Sequence, residues 1–206
     1  MGTATNTVPE LRIAGPDDID TIADIVAASF QHMSVIRWLV PNDQRRMPVT
    51  RAWYRLHIEH ALTGAGQVIM TSDNTATAVW FDRTKPFHEP DDYANHLAEL
   101  AGDDLPRFEH LDAQMDAHHP GAAHRHLLFL AALPNTWGQG SGSLLMNHTH
   151  HELDTDDVPA YLEATSEHNR RLYRRHGYTD MTPPVIPISD GIELYRMWRQ
   201  PGTGPA

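Results

Sequence analysis

The chain contains no cysteine among its 206 residues. Disulfides, thiolate nucleophiles and Cys-based zinc sites are therefore excluded. Lysine is nearly absent as well, Lys85 being the only one. A covalent intermediate would have to form on Ser, Thr, Asp, Glu or that single amine. No apolar run approaches the roughly 18 residues of a membrane helix, so no membrane partner is expected. The opening "MGTATNTVPELRIAG" has neither the basic nor the apolar region of a secretory signal. Asn6 stands where the lipidation pattern beginning at Gly2 requires Ser or Thr. These absences make a cytoplasmic protein the expectation. Positive charge is also scarce: 16 Lys and Arg face 27 Asp and Glu, a net charge of −11 with histidines neutral. Nucleic acid is a poor partner for such a surface, whereas small cations are drawn to it.

What is present is an ordinary globular composition, 40% hydrophobic and 21% charged, in a chain of single-domain length. Residues 1–9 and 200–206 read as frayed ends. "LRIAG" reads as a short strand, and "PDDIDTIADIVAASF" as a helix with Ile19, Ile22, Val26 and Phe30 at helical spacing. A loop or broken helix covers "QHMSVIRWLVPND", and a helix is predicted after Pro48, ending at Gly64. "GQVIMTSDNTATAVWF" has the pattern of a hairpin around "SDN". Residues 91–118 predict two helices interrupted near "GDDLP", followed by the turn-rich "HHPGAAHRH". "HLLFLAAL" is a continuous apolar run, as in a strand buried on both faces. A helix from about Gly142 to Glu152, a strand "PAYLEAT", a short helix over 168–176 stopped by Gly177, and a final alternating strand "GIELYRMW" complete a mixed α/β order.

Between the apolar run and the next helix lies "LPNTWGQGSGSLLM", Leu133 to Met146. Gly138, Gly140 and Gly142 remove side chains at alternate positions where a helix begins. Unpaired N–H groups and the positive end of the helix dipole favour an anion there, and missing Cβ atoms let it come close. A Walker loop is excluded by the lack of a nearby lysine, and the GxGxG spacing departs from the GxGxxG of a dinucleotide fold.

"LAALPNTWGQGSGSLLM" resembles the acyl-CoA pyrophosphate loop of the GNAT N-acetyltransferases, Gln/Arg-x-x-Gly-x-Gly/Ala, with Trp137 at the Gln/Arg position and Gly140 and Gly142 as the motif glycines. About 25 residues on, "VPAYLEATSEHNRRLYRRHGYTD" resembles that family's later strand and helix, ending in Leu172, Tyr173, Gly177 and Tyr178. Over most of its length the chain is most similar to the small-molecule enzymes of the puromycin N-acetyltransferase type. The resemblance implies one α/β acetyltransferase domain over 1–206, with an ordered core of about 10–200 and a helical insert at about 91–118. Its central sheet would be mostly antiparallel, splayed between the strands ending near Leu133 and starting near Pro159, with helices on both faces.

The resemblance also implies roles. Acetyl-CoA would be the co-substrate, its diphosphate on Gly138, Gln139, Gly140, Ser141, Gly142 and Ser143, its pantetheine and thioester along Leu130, Ala131, Ala132 and Leu133. An amine would attack the thioester directly. Tyr173 would act as general acid toward the leaving thiolate, since a phenol stays protonated at neutral pH. Asn169, one turn before Tyr173, is the candidate for a further CoA contact in place of the family's asparagine at position 166. Strand alternation puts Tyr161, Glu163 and Thr165 on one face. Glu163 is then a carboxylate on a mostly apolar strand, where desolvation is expected to raise its pKa toward that of a useful general base. The alternatives are a packed aromatic for Tyr173 and a structural carboxylate for Glu163.

His148, His151 and Glu152 in "NHTHHELD" share a helical face, but HExxH is absent and no metal is expected; a solvated face is the reading for them and for "HHPGAAHRH". Trp38, Trp53, Trp80 and Phe81 are candidates for an aromatic acceptor pocket. A pocket roofed by residues 30–40 and the 91–118 insert would favour a small amine such as an aminonucleoside-type antibiotic. An open groove would favour a protein or peptide acetyltransferase, and binding without turnover a non-catalytic acyl-CoA sensor. A monomer or homodimer is expected.

Overall fold

Seven strands form one sheet in the order β1-β2-β3-β4-β5-β7-β6, in a computed structural model that describes residues 9–203. The strands are β1 (Leu11–Ile13), β2 (Gly66–Thr71), β3 (Ala76–Asp82), β4 (Arg125–Ala132), β5 (Ala160–Ala164), β6 (Thr179–Ser189) and β7 (Ile192–Arg199). The helices are α1 (Ile19–Phe30), α2 (Ser34–Leu39), α3 (Asp43–His60), α4 (Tyr93–Ala101), α5 (Leu105–His118), α6 (Ser141–Thr155) and α7 (Glu167–Arg175). The expected frayed ends lie partly outside the described residues. Of the C-terminal one, residues 200–203 are tied down, with the Gly202 amide donating to Asp154.

All neighbouring strands are antiparallel except β4 and β5, which run parallel. That parallel pair is in register only at Arg125↔Ala160 and His126↔Tyr161. Beyond these two rungs the strands part, which is the expected splay. Strand alternation then sorts the core into two layers. Val79 and Phe81 of β3 join Phe129 and Ala131 of β4 beneath α1 to α5. Ala78 and Trp80 face the other way, joining Leu127, Leu162 and Ala164 beneath α6 and α7. The β3–β4 register skips from Val79↔Phe129 to Trp80↔Leu127, leaving Leu128 as an extra residue that bulges β4 where it leaves β5.

One predicted boundary differs from the observed one, and one strand was not predicted. α3 begins at Asp43 rather than after Pro48, because Asn42 caps it, its side-chain oxygen accepting from the amides of Gln44 and Arg45 at 3.0 and 3.3 Å. Pro48 then forfeits only the bond to Gln44, one turn into the helix. The reading also missed β6, whose sequence "TDMTPPVIPIS" carries three prolines. The strand tolerates them because it lies at the sheet edge, bonded to β7 alone, with its register interrupted between Asp180 and Val185.

A partly buried ion pair ties the end of β7 to the last turn of α6. Arg199 is fully buried; its guanidinium donates to both carboxylate oxygens of Asp154 at 2.7 Å, and its Nε to the His176 carbonyl at 3.1 Å.

Candidate active site

After β4 the chain makes one tight turn at Pro134–Thr136 and enters the glycine loop. Gly138 has φ +79 and Gly140 φ +91, a left-handed backbone that disfavours any side chain. Gly140 is the N-cap of α6 and has no side chain with which to cap it. Among the described residues, the amides of Gly138, Gly140, Ser141, Gly142 and Ser143 meet no protein acceptor. A side chain at Gly138 or Gly140 would project into open space, so the loop's glycines relieve no crowding inside the protein. Bare donors and a concave backbone at a helix N-terminus fit a diphosphate.

The loop's side chains divide. Gln139 is exposed, and its amide reaches back to the Asn135 carbonyl at 3.4 Å. Ser141 is buried. The Ser143 hydroxyl lies 3.0 Å from His176 Nε2, whose Nδ1 lies 3.0 Å from Asn147 Oδ1. Since an amide oxygen only accepts, Nδ1 carries the proton and Ser143 donates to Nε2. Trp137, half exposed, donates its indole N–H to the Ala132 carbonyl at 2.8 Å and so ties the loop to the end of β4.

The four residues expected to line the thioester are not equivalent. The Leu133 amide donates to the Thr75 carbonyl at 2.8 Å, and ladder alternation directs that of Ala131 toward β3 as well. Leu130 and Ala132 turn their amides to the gap, whereas those of Ala131 and Leu133 are turned to β3. The bulged Leu128 also lies at the gap. No sequence signal marks it, because a bulge is defined by the register of the partner strand.

Glu163 and Tyr173 lie on opposite sides of β5. Tyr173 is buried in the α6–α7 layer, edge to face with Tyr178 at 5.9 Å. Its hydroxyl forms no hydrogen bond among the described residues, and burial, aided by the charge of Glu163, pushes the phenol up, so it remains protonated. The Asn169 side-chain amide donates to the Thr165 hydroxyl at 3.0 Å. Ser166 caps α7 by accepting from the Asn169 amide at 3.2 Å.

Glu163 faces the other way. Its side chain is 6% exposed and His126 Nε2 lies 2.8 Å from its Oε2, while Oε1 has no partner. Here the expected pKa is overturned. Burial pushes the carboxyl up, but the neighbouring His126, by charge and hydrogen bond, draws it below its ordinary value. The sequence reading missed His126 because it lay in a segment read as a solvated link. The structure buries two residues of that segment: His124 and His126 are 1% and 3% exposed, and their rings surround Tyr161 with that of His119. Burial depresses His119 to about 3 and His124 to about 4, keeping both neutral. With Nε2 turned to Glu163, the other ring nitrogen of His126, Nδ1, is buried and has no protein partner. His148 and Glu152 form an exposed pair at 3.7 Å. Among the described residues no three His, Asp or Glu side chains converge on a metal position.

Glu163, His126, Leu128 and Phe129 open into a cavity of about 510 Å³. Phe30, Met33, Val35 and Ile36 close one side, and residues of α4 and α5 from Tyr93 to Asp116 close another. Trp53 and Phe81 line it as expected. Trp80 does not, because it alternates with Phe81 and points into the opposite layer. Trp38 packs against His110 instead, with ring centroids 5.8 Å apart.

No family model matches the sequence. Among solved structures, the chain is similar to a Corynebacterium glutamicum protein described as histone acetyltransferase HPA2 and related acetyltransferase, with 26% identity and a TM-score of 0.72 over 97% of this chain and 100% of that one. It is similar to a GCN5-related N-acetyltransferase from Rhodopseudomonas palustris at 14% identity and a TM-score of 0.57, over 97% of this chain and 99% of that one. It is also similar to the PaiA N-acetyltransferase of Thermoplasma acidophilum in complex with coenzyme A, at 10% identity and a TM-score of 0.58, over 94% of this chain and 99% of that one. The seven-stranded sheet splayed between β4 and β5, with helices on both faces, is the fold of the GNAT acetyltransferases.

Proposed function

We propose that this protein is an acetyl-CoA-dependent N-acetyltransferase acting on a small amine in the cytoplasm. One arrangement carries the reading: the β4–β5 gap runs between the bare amides at the start of α6 and a cavity lined by Glu163 and His126. Acetyl-CoA, when bound, supplies an acyl carbon activated as a thioester. The amides of Gly138 and Gly140 to Ser143 would hold its diphosphate, and main-chain groups of Leu130 and Ala132 would orient its arm. The Ala132 carbonyl already accepts the Trp137 indole N–H and keeps a second lone pair.

The cavity's residues handle the amine. The free Oε1 of Glu163 attracts an ammonium, and His126 Nδ1 accepts its proton, the imidazolium being stabilised by the carboxylate on its other nitrogen. On the far side of β5, the Tyr173 phenol donates to the departing thiolate. Glu163 thus serves chiefly as an anion that orients His126, with the lone base role assigned to the pair.

The roof over the cavity favours a small molecule over a peptide. An aminonucleoside-type antibiotic, and with it a role in antibiotic resistance, is the specific acceptor suggested by the likeness to the puromycin-type enzymes. Thiol release from acetyl-CoA across a panel of primary amines tests the reading, with Tyr173→Phe as control. Release dependent on an amine and on Tyr173 supports it; coenzyme A binding without turnover on any amine would make the protein a sensor.

A further inference from the structure

The cavity has more chemistry than a proton acceptor requires. Its centre is aromatic: Phe30, Tyr54 and Phe129 pack edge to face with centroids 5.1 to 6.0 Å apart. Its polar groups are overwhelmingly acidic. Glu89, Glu109, Asp112, Asp116 and Glu163 line it against one guanidinium, Arg83, which is held over the Phe87 ring at 3.3 Å. Of the histidines on the wall, His57 and His119 are both depressed by burial to about 3 and supply no positive charge at neutral pH.

Asp112 differs from the other carboxylates in being built into the aromatic wall. Its Oδ2 accepts from the Tyr93 hydroxyl at 3.1 Å, which in turn accepts from Trp53 Nε1 at 3.1 Å. No Lys, Arg or His pairs with it among the described residues. Two further groups in the cavity are buried and unpartnered: Glu163 Oε1, and the hydroxyl of Tyr54, which is 1% exposed. Two anchoring carboxylates on α5 and β5 therefore share a ring-lined space, Asp112 with no cationic partner and Glu163 with one oxygen free.

Resting on the acetyl-transfer reading, we infer that the acceptor is an aromatic amine with a second basic nitrogen. Its nucleophilic nitrogen sits at Glu163 and His126, its ring among Phe30, Tyr54 and Phe129, and its second nitrogen at Asp112. A desolvated cation–carboxylate pair with a hydrogen-bonded anion favours such a ligand over one lacking the second charge. An aliphatic diamine supplies both charges and leaves the rings without a partner.

Protonation provides an independent readout. Burial, with the carboxylates of Glu89, Asp116 and Glu109, pushes Asp112 up to about 6 despite the Tyr93 hydrogen bond. Near that pH the group is about half protonated, and a bound cation would expel up to about half a proton.

The test is calorimetric titration of the full chain with phenethylamine, 4-(aminomethyl)phenethylamine and 1,5-diaminopentane. The aromatic diamine is expected to bind about tenfold tighter than either other ligand. Repeated near pH 6 in buffers of differing ionisation enthalpy, its binding should release protons. Asp112→Asn, which keeps an acceptor for Tyr93, should abolish that release and shrink the diamine's advantage over phenethylamine to under about threefold. Asp112→Glu should retain both. The inference is overturned if the wild type binds the three ligands within about threefold of one another, or if Asp112→Asn leaves the preference intact. Because the titration needs no turnover, the two readings fail separately. Preference without thiol release would refute only the transferase, and acetylation indifferent to ring and second nitrogen would refute only the inference.

Discussion

Replacing His126 with leucine removes the partner of a carboxylate that is itself buried, and the consequence depends on pH. In the wild type the Glu163 carboxyl lies below its ordinary value of 4.5. Its contribution to stability is therefore complete above about pH 4.5 and fades as pH falls through the lower folded value. In His126→Leu, burial acts unopposed and lifts the carboxyl above that value. The folded state then tolerates Glu163 in acid and is penalised increasingly as pH rises past about 4.5. Breaking a buried pair costs about 3–5 kcal/mol. At roughly 2–4 °C per kcal/mol for a chain of this size, the midpoint should fall by about 6–20 °C near neutral pH. The difference from wild type should narrow toward about pH 4. The double variant His126→Leu, Glu163→Leu replaces the pair by apolar groups and should recover most of the loss. Scanning calorimetry of the three proteins across this range is the assay. A deficit independent of pH, or a double variant no better than the single one, would refute the reasoning.

Other outcomes follow from the same geometry. Tyr173→Phe keeps the packing against Tyr178 and removes the proton donor; kcat should fall by about 10²–10⁴ with coenzyme A affinity unchanged, measured by thiol release and calorimetry. Gly140→Val forces a β-branched residue into φ +91, which costs about 1–2 kcal/mol in the loop and should weaken coenzyme A binding by about tenfold or more. Asp154→Ala leaves the Arg199 guanidinium buried and unpaired, and should lower stability by about 3–5 kcal/mol in denaturant unfolding. Since that pairing also depresses the Asp154 carboxyl, the wild type should lose this contribution as pH falls below the ordinary carboxylate range.

Much of this architecture was legible because it rests on local signals. The period of α1, the hairpin around "SDN" and the glycines before α6 are each set by residues adjacent in sequence. The interrupted helical insert was legible for the same reason: Gly102 ends α4 and Pro106 stands in the first turn of α5. β6 was hidden because its prolines are acceptable only at a sheet edge, and edge position is a tertiary fact. The site divides in the same way. The loop and the position of Tyr173 follow from motif spacing. The pairing of His126 with Glu163 joins residues 37 apart through the parallel contact of β4 with β5, which no local pattern encodes. Its sign mattered too. Alternation alone implied a carboxylate raised by burial, whereas the cross-strand imidazole lowers it. Asp112 escaped notice for a related reason, since α5 looks like an ordinary polar helix until α3 and α4 bring Trp53 and Tyr93 against it.

The central claim is that unpaired main-chain amides at the start of α6 grip the diphosphate of coenzyme A. Titrating coenzyme A into protein labelled at its 13 glycines, and following the amide resonances, tests it most directly. The account predicts that the largest shifts belong to Gly138, Gly140 and Gly142, while Gly64, Gly121 and Gly191 stay fixed. Binding that leaves those three loop resonances unmoved would contradict it.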